Sequence, residues 1–330
     1  MNNQPIFILG AHKSGTSLLR SIFDGHPDLF VIPIESHYFQ NRKYWVDNEY
    51  RFERPSKLTH LELQERFVKY IEKSNQSEDK YSDGISKNIF NINLFKDRFS
   101  KIKNIINNDK KLIKKYFEAL YYALTSTDLP DNKRIVEKSV ENAEFAIELN
   151  NLFPDAKFIH IVRNPYSNFV SLRKYKSINF GYPIIRRMIK TLYNNYYFLY
   201  KNKKVIDDYF IIRYEDLVTH PKEFIIKLCH FVNIKFRQIL LTPTYNGKLW
   251  DGNSMEDKKF NTISSERLGS WQNEIYSMEI QYINRVFKFV LNDYNYRVLE
   301  PHGSFWKPIK GENLKRYLAN RIYKFYLQEW

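Results

Sequence analysis

The chain has 330 residues, 43% of them hydrophobic and 17% aromatic, with only 10 Gly and 12 Pro, which excludes a disordered or fibrous protein and leaves enough apolar side chains for a sizeable core. Lys and Arg number 52 against 37 Asp and Glu, and the net charge of +15 favours anionic partners: nucleotides, anionic lipids, acidic glycans or nucleic acid. Biased use of Lys, Asn, Ile and Tyr would give the same excess, so charge names a class of partner and no function.

Five short apolar runs, rich in β-branched and aromatic residues and bounded by turn or cap residues, read as buried strands: Ile6 to Leu9, Leu29 to Ile32, Arg134 to Val136, Lys157 to Val162 and Tyr209 to Ile212. Helical patterns fall between them at Thr16 to Phe23, Ala143 to Phe153 and Tyr166 to Tyr175. Strands alternating with helices predict an α/β fold, an open parallel sheet flanked by helices. Between Tyr44 and Asp131 the pattern changes to Lys-rich amphipathic stretches, Leu58 to Lys73 and Lys110 to Thr125, joined by a polar segment near Asn75 to Ser86. This region reads as a helical insertion, and Pro183 to Lys204 is a further long helix. Without repeats or low-complexity linkers, residues 1–300 are expected to form one domain with an insertion at about 44–131.

Residues 301–330 are expected to add a basic aromatic helix. Over Asn313 to Trp330, Leu314, Tyr317, Leu318, Arg321, Ile322 and Phe325 fall near one stripe, with Lys315, Arg316 and Lys324 elsewhere. Such a helix suits an anionic membrane surface, its own domain or a second subunit. The single cysteine, Cys229, lies in the apolar stretch Phe224 to Val232, so no intrachain disulfide forms. The sequence runs almost directly into its first strand with no charged-then-apolar leader, and no apolar run approaches the ~18 residues of a membrane span. The expected location is cytoplasmic, with peripheral contact at the inner membrane face left open.

The segment Ile6-Phe7-Ile8-Leu9-Gly10-Ala11-His12-Lys13-Ser14-Gly15-Thr16-Ser17-Leu18-Leu19 is a strand, a loop with two glycines and a helix start. It aims backbone N–H groups and the positive helix end at one point, which suits a phosphate. A Walker A loop needs Lys after the second glycine; here Thr16 stands there and the lysine sits two residues before Gly15, as Lys13. A nucleoside triphosphatase is thereby disfavoured. A cation on the loop's crest fits stabilising charge on a leaving phosphate without a metal. A second element, Phe158-Ile159-His160-Ile161-Val162-Arg163-Asn164-Pro165, carries a strand into a helix start and delivers a guanidinium suited to bidentate phosphate recognition.

Together these segments resemble the PAPS-dependent sulfotransferase family, where PAPS is 3′-phosphoadenosine 5′-phosphosulfate. Lys13-Ser14-Gly15-Thr16-Ser17-Leu18-Leu19 is similar to the family's 5′-phosphosulfate loop. Arg163-Asn164-Pro165, with Ser171 eight residues after the Arg, is similar to its 3′-phosphate element. Glu137-Lys138-Ser139, the strand-ending Arg213-Tyr214-Glu215-Asp216-Leu217, and Arg267-Leu268-Gly269-Ser270-Trp271 resemble further family segments in the expected order, the last a loop closing over the 3′-phosphate. The resemblance implies cofactor contacts from Lys13, Ser14, Gly15, Thr16, Ser17, Arg163, Ser171, Tyr214, Arg267, Leu268 and Gly269. It implies PAPS as co-substrate, with no metal and no nucleic acid partner.

His26-Pro27 and the short strand leading to Glu35 resemble the tyrosylprotein and bacterial branch, which implies Glu35 as the base, with His37 competing. Lys13 and Lys138 are expected to stabilise the sulfuryl group and the leaving phosphate in a one-step in-line displacement. The accepting group is expected to be a hydroxyl or an amine, with a glycan or glycolipid hydroxyl first since aromatic faces with polar neighbours suit sugars; small metabolites and peptidyl tyrosine stay open. A P-loop kinase or nucleotide hydrolase, and an inert phosphoadenosine- or polyanion-binding protein, are the competing readings.

Overall fold

The computed structural model describes residues 4–42, 58–76, 88–178, 181–252 and 262–327. Five strands pair in parallel: β1 (Ile6–Gly10), β2 (Leu29–Val31), β3 (Arg134–Lys138), β4 (Lys157–Val162) and β5 (Tyr209–Arg213), in the spatial order β2-β3-β1-β4-β5. The alternation along β1 explains the layering. Ile6 and Ile8 point into one core with Leu19, Ile22 and Phe23, while Phe7 and Leu9 point into the other with Phe158, which stacks on Phe7 at 5.4 Å. Both faces are covered, as parallel sheets require.

The helices, in chain order, are α1 (Thr16–Phe23), α2 (Tyr38–Asn41), α3 (His60–Asn75), α4 (Ile92–Phe99), α5 (Asp109–Thr125), α6 (Ala146–Leu152), α7 (Pro165–Ser177), α8 (Ile185–Val205), α9 (Tyr214–Thr219), α10 (Pro221–Val232), α11 (Ser277–Val286), α12 (Lys288–Asp293) and α13 (Leu314–Tyr326). From β1 the chain runs outward to β2 and β3 on one side, then crosses to β4 and β5 on the other. Connections therefore part on either side of β1. A crevice forms there at the C-terminal ends of the strands, the usual place for a ligand in an open α/β sheet.

The expected insertion contains α3, α4 and α5; the polar segment after Asn75 lies largely outside the described residues. Thr59 and Glu62 form a capping box that starts α3. Phe67 of α3 meets Tyr116 of α5 ring to ring at 4.5 Å, and Phe95 and Phe99 of α4 close the same cluster. This aromatic core is tied to the crevice: Tyr116 Oη donates to Ser36 O at 2.9 Å and Tyr70 Oη donates to Glu35 O.

Two expectations are corrected. The helix expected over Ala143 to Phe153 is a 3₁₀ turn, Val140–Ala143, followed by the shorter α6, and Asn142 turns inward to donate to Glu137. On α13 the expected stripe of Leu314, Tyr317, Leu318, Arg321, Ile322 and Phe325 is broken at Arg321, which turns inward. Asn320, Arg321, Tyr323 and Leu327 are buried, whereas Leu314, Leu318, Ile322 and Phe325 are exposed. Polar side chains win the inner face because they are satisfied there. Asn320 accepts from Ile185 N at 2.8 Å, and Arg321 pairs with Glu312 at 2.5 Å.

Candidate active site

The first wall of the crevice is the turn between β1 and α1. Gly15 caps α1 at φ +109, and a Cβ there would lie 2.5 Å from the Tyr214 ring, so only glycine allows this approach. Among the described residues no side chain caps α1, and no acidic residue occupies its first turn, which leaves a helix end that favours an anion. Ser14, Thr16 and Ser17 are buried around it. Lys13 adopts φ +62, a left-handed conformation that costs a non-glycine residue about 1–2 kcal/mol. Its ammonium sits 4.4 Å from the centre of the Tyr175 ring on α7.

The second wall comes from β4. Gly10 pairs with Ile161, so the turn after β1 lies level with Arg163 at the end of β4. Arg163 Nη1 donates to Lys13 O at 2.8 Å, and its guanidinium lies 4.6 Å from the centre of the Tyr214 ring, the same ring that abuts Gly15. Asn164 caps α7, and Asn168 Nδ2 donates to His12 O at 2.7 Å, which ties α7 to the loop. Ser171 follows Asn168 by three residues on that helix, partly buried.

Arg267, Leu268 and Gly269 precede Trp271, which stacks on Tyr166 of α7 at 5.6 Å and donates to Leu268 O at 2.8 Å. Burial lowers the Arg267 guanidinium from its ordinary range; Glu274 and Tyr214 oppose this, and the like charge of Arg163 adds to it. Ser14 Oγ and Arg163 Nε are both buried with no hydrogen-bond partner among the described residues. Unmet buried donors of this kind cost about 1–3 kcal/mol each and call for a ligand or solvent.

The third group lies after β2 and β3. Lys138 ends β3 almost fully buried and pairs with Glu35 Oε1. His37, at φ +46, places Nε2 3.3 Å from Glu35 Oε2 and Nδ1 2.5 Å from Glu141 Oε1. Burial opposes a charged ring here, but Glu141 and Glu35 outweigh it, and His37 is raised to about 9. Beneath them Glu137 is fully buried, pushed up by burial and held against that by hydroxyl donors from Ser139 at 2.5 Å and Ser36 at 2.7 Å. Ile8 of β1 pairs with Lys138 of β3, so this cluster adjoins the phosphate-type loop that follows β1. Glu35, His37 and Glu141 also place three potential metal-ligand atoms within 4.8 Å of one another.

The sequence reading missed Glu141, Asn168, Tyr70 and Tyr175. Glu141 lies 104 residues from His37, and no spacing announces the pairing. Tyr175 was visible only as a helix residue; its ring reaches Lys13 because α7 runs beside the loop.

The arrangement of loop, strand-end arginine and carboxylate is matched in sequence as well. A family model described as "Sulfotransferase family" matches residues 5–238. The chain belongs to the sulfotransferase family. A protein-tyrosine sulfotransferase of Drosophila melanogaster is 24% identical over 246 residues, covering 72% of this chain and 39% of that protein, so the chain spans well under half of that relative's length. The solved sulfotransferase domain from the curacin biosynthetic pathway superposes with a TM-score of 0.56 at 20% identity, covering 90% of this chain and 99% of that one. At that identity the likeness establishes the fold, the parallel sheet with flanking helices described above.

Proposed function

We propose that this sulfotransferase moves the sulfuryl group of PAPS to a hydroxyl of an acceptor by in-line displacement, with Glu35 as the base. One observation carries the reading: the hydrogen bond from Arg163 to the Lys13 carbonyl holds the two segments side by side, which supports one nucleotide bridging them. The donor set fits a nucleotide with anionic groups at both ends. The glycine turn and helix end suit the 5′-phosphosulfate, with contacts from Lys13, Ser14, Gly15, Thr16 and Ser17. Arg163 and Arg267 suit the 3′-phosphate, with Ser171, Leu268 and Gly269 beside them and the Tyr214 ring between the walls. A Cβ at Gly15 would fill the cradle, and the unpartnered Ser14 Oγ and Arg163 Nε supply donors. Thr16 at the Walker lysine position argues against ATP.

In the proposed mechanism Glu35 accepts the acceptor's proton as the acceptor oxygen bonds to sulfur and the sulfur–oxygen bond to the 5′-phosphate breaks. Lys138, already on Glu35, bridges to the sulfuryl oxygens, so the arriving proton and the developing negative charge move in step. Lys13 leaves its seat over Tyr175 to meet the leaving phosphate. His37 is not the base in this reading. Held between two carboxylates and raised to about 9, it carries its proton at neutral pH and serves to aim Glu35. With Lys138 and His37 supplying positive charge at Glu35, the chemistry calls for no metal ion.

The acceptor is expected to approach beside α3, whose partly buried Tyr70 reaches the backbone of Glu35, while the fully buried Tyr116 of α5 braces Ser36 from the core. Aromatic faces beside polar groups favour a glycan or glycolipid hydroxyl. A cytoplasmic setting accords with the one cysteine, Cys229, which is free and buried. Among the described residues no helix is long and apolar enough to cross a membrane.

Incubating the protein with radiolabelled PAPS and fractionated extracts, with a metal chelator present, tests the proposal. Label entering a carbohydrate or glycolipid fraction is expected. Label confined to a peptide fraction would replace the acceptor class, loss of transfer on chelation would bring the Glu35, His37 and Glu141 cluster into play as a metal site, and stabilisation by ATP·Mg²⁺ in preference to 3′-phosphoadenosine 5′-phosphate would favour the kinase reading.

A further inference from the structure

We propose that the outward face of α13 docks the protein on an anionic membrane surface. The inference stands apart from the sulfuryl-transfer reading, because α13 contributes nothing to the crevice described above.

The helix is held in one orientation by its inner face. Asn320 accepts from Ile185 N at 2.8 Å, Tyr282 Oη donates to the Asn320 carbonyl at 2.5 Å, and Arg321 binds both Glu312 at 2.5 Å and Lys307 O at 2.6 Å. With those contacts fixed, the opposite side faces solvent. Leu314 is 74% exposed, Leu318 47%, Ile322 47%, Phe325 57% and Tyr326 63%. Their spacing, four, four, three and one, lays them along one stripe of a helix about 20 Å long. Single exposed apolar residues are ordinary, but a continuous stripe of five on one rigid helix marks an interaction surface.

Charge selects the occupant. Lys315, Arg316 and Lys324 lie within Leu314–Tyr326, which contains no Asp or Glu, while the fourth cation, Arg321, is turned inward on Glu312. Exposed Lys307 and Lys310 lie on the approach to the helix, and Arg186 at the start of α8 is near enough to Tyr323 to act on its phenol. A second copy of this chain joined through the same stripe would bring the Lys315 side chains and their basic neighbours together from both sides, against a chain charge of +15. An anionic bilayer meets both features at once. Leu, Ile and Phe side chains on an interfacial helix reach about 5–10 Å into the headgroup and acyl boundary, while each cation near the headgroups adds about fivefold to partitioning. The inner face stays docked on α8 and α11, so no unfolding is needed for contact.

Co-sedimentation of the full chain with phosphatidylcholine vesicles, with and without phosphatidylglycerol, is the test. Wild type is expected to bind the phosphatidylglycerol vesicles at least about tenfold more tightly than the neutral ones, less so as salt rises. L318E/I322E should lose at least about tenfold of that binding while keeping its thermal unfolding midpoint and its affinity for 3′-phosphoadenosine 5′-phosphate. Both positions are exposed, and L318S/I322S serves if the charged pair perturbs the fold. Absence of wild-type binding to anionic vesicles, or equal binding by the variants, overturns the proposal. So does a wild-type dimer in sedimentation equilibrium that the variants dissociate, with no vesicle binding, since the face would then belong to a second copy. None of these outcomes touches nucleotide binding, so the sulfuryl-transfer reading stands or falls separately.

Discussion

Replacing His37 with Gln removes a cation from between Glu35 and Glu141, and the proton that the ring holds sets the size of the effect. Burial alone would discharge the imidazole; the two carboxylates overcome that and raise it to about 9, from 6.5 in an unfolded chain. A proton held more tightly in the folded state contributes stability that is complete below the unfolded value and disappears as pH rises through the folded one. The window is therefore about pH 6.5 to 9. The difference between the two values corresponds to about 3 kcal/mol at its upper bound, and the ring's partial exposure trims it toward about 2 kcal/mol.

For a chain of this length about 1 to 2 °C of melting temperature accompanies each kcal/mol. Calorimetry at constant ionic strength should show wild type above H37Q by a few degrees at pH 6, with the two curves converging by about pH 10. A gap that stays constant across that range would mean that His37 is not held as a cation between the two carboxylates, and the case against it as the base would lose its support.

Two further outcomes concern the crevice. E35Q is expected to lower turnover by about 10²- to 10⁴-fold while leaving affinity for 3′-phosphoadenosine 5′-phosphate within a few-fold of wild type; single-turnover transfer from PAPS reads this, and a variant keeping more than about a tenth of the rate removes Glu35 from the role of base. G15A places a methyl 2.5 Å from the Tyr214 ring at φ +109, so calorimetric titration should show nucleotide affinity falling by at least about tenfold, and unchanged affinity would place the donor elsewhere.

The sheet was legible because its strands are short apolar runs with turn residues at both ends. β4 coincides with the expected Lys157 to Val162, and β1 and β5 each extend one residue further. β3 runs two residues past the expected Val136, since Glu137 and Lys138 read as a polar strand end. The structure buries both charges, with hydroxyls, an amide and a paired carboxylate to satisfy them. Local pattern does not reveal that compensation: Ser139 and Asn142 are near in sequence, but Ser36 and Glu35 come from about a hundred positions away.

The two segments proposed to bind the nucleotide carried their motifs in local sequence, and parallel pairing of β1 with β4 brings Gly15 and Arg163 to the same edge. The base cluster was half visible. Glu35 and His37 stand two residues apart, but Glu141 and Tyr70 reach them only through tertiary packing. The seating of α13 has the same origin: hydrophobic periodicity located the helix and left the surface it meets open, while Glu312 and the Ile185 amide decide which side turns inward.

The central claim is that a single pocket grips a nucleotide at both ends. Titrating 3′-phosphoadenosine 5′-phosphate and 5′-AMP into wild type and R163A, in buffer free of Mg²⁺, tests it most directly. Wild type should prefer the bisphosphate by about 10- to 100-fold, as a charge-assisted contact to the 3′-phosphate implies, and R163A should lose most of that preference while its affinity for 5′-AMP changes little. Equal binding of the bisphosphate by R163A and wild type would contradict the account.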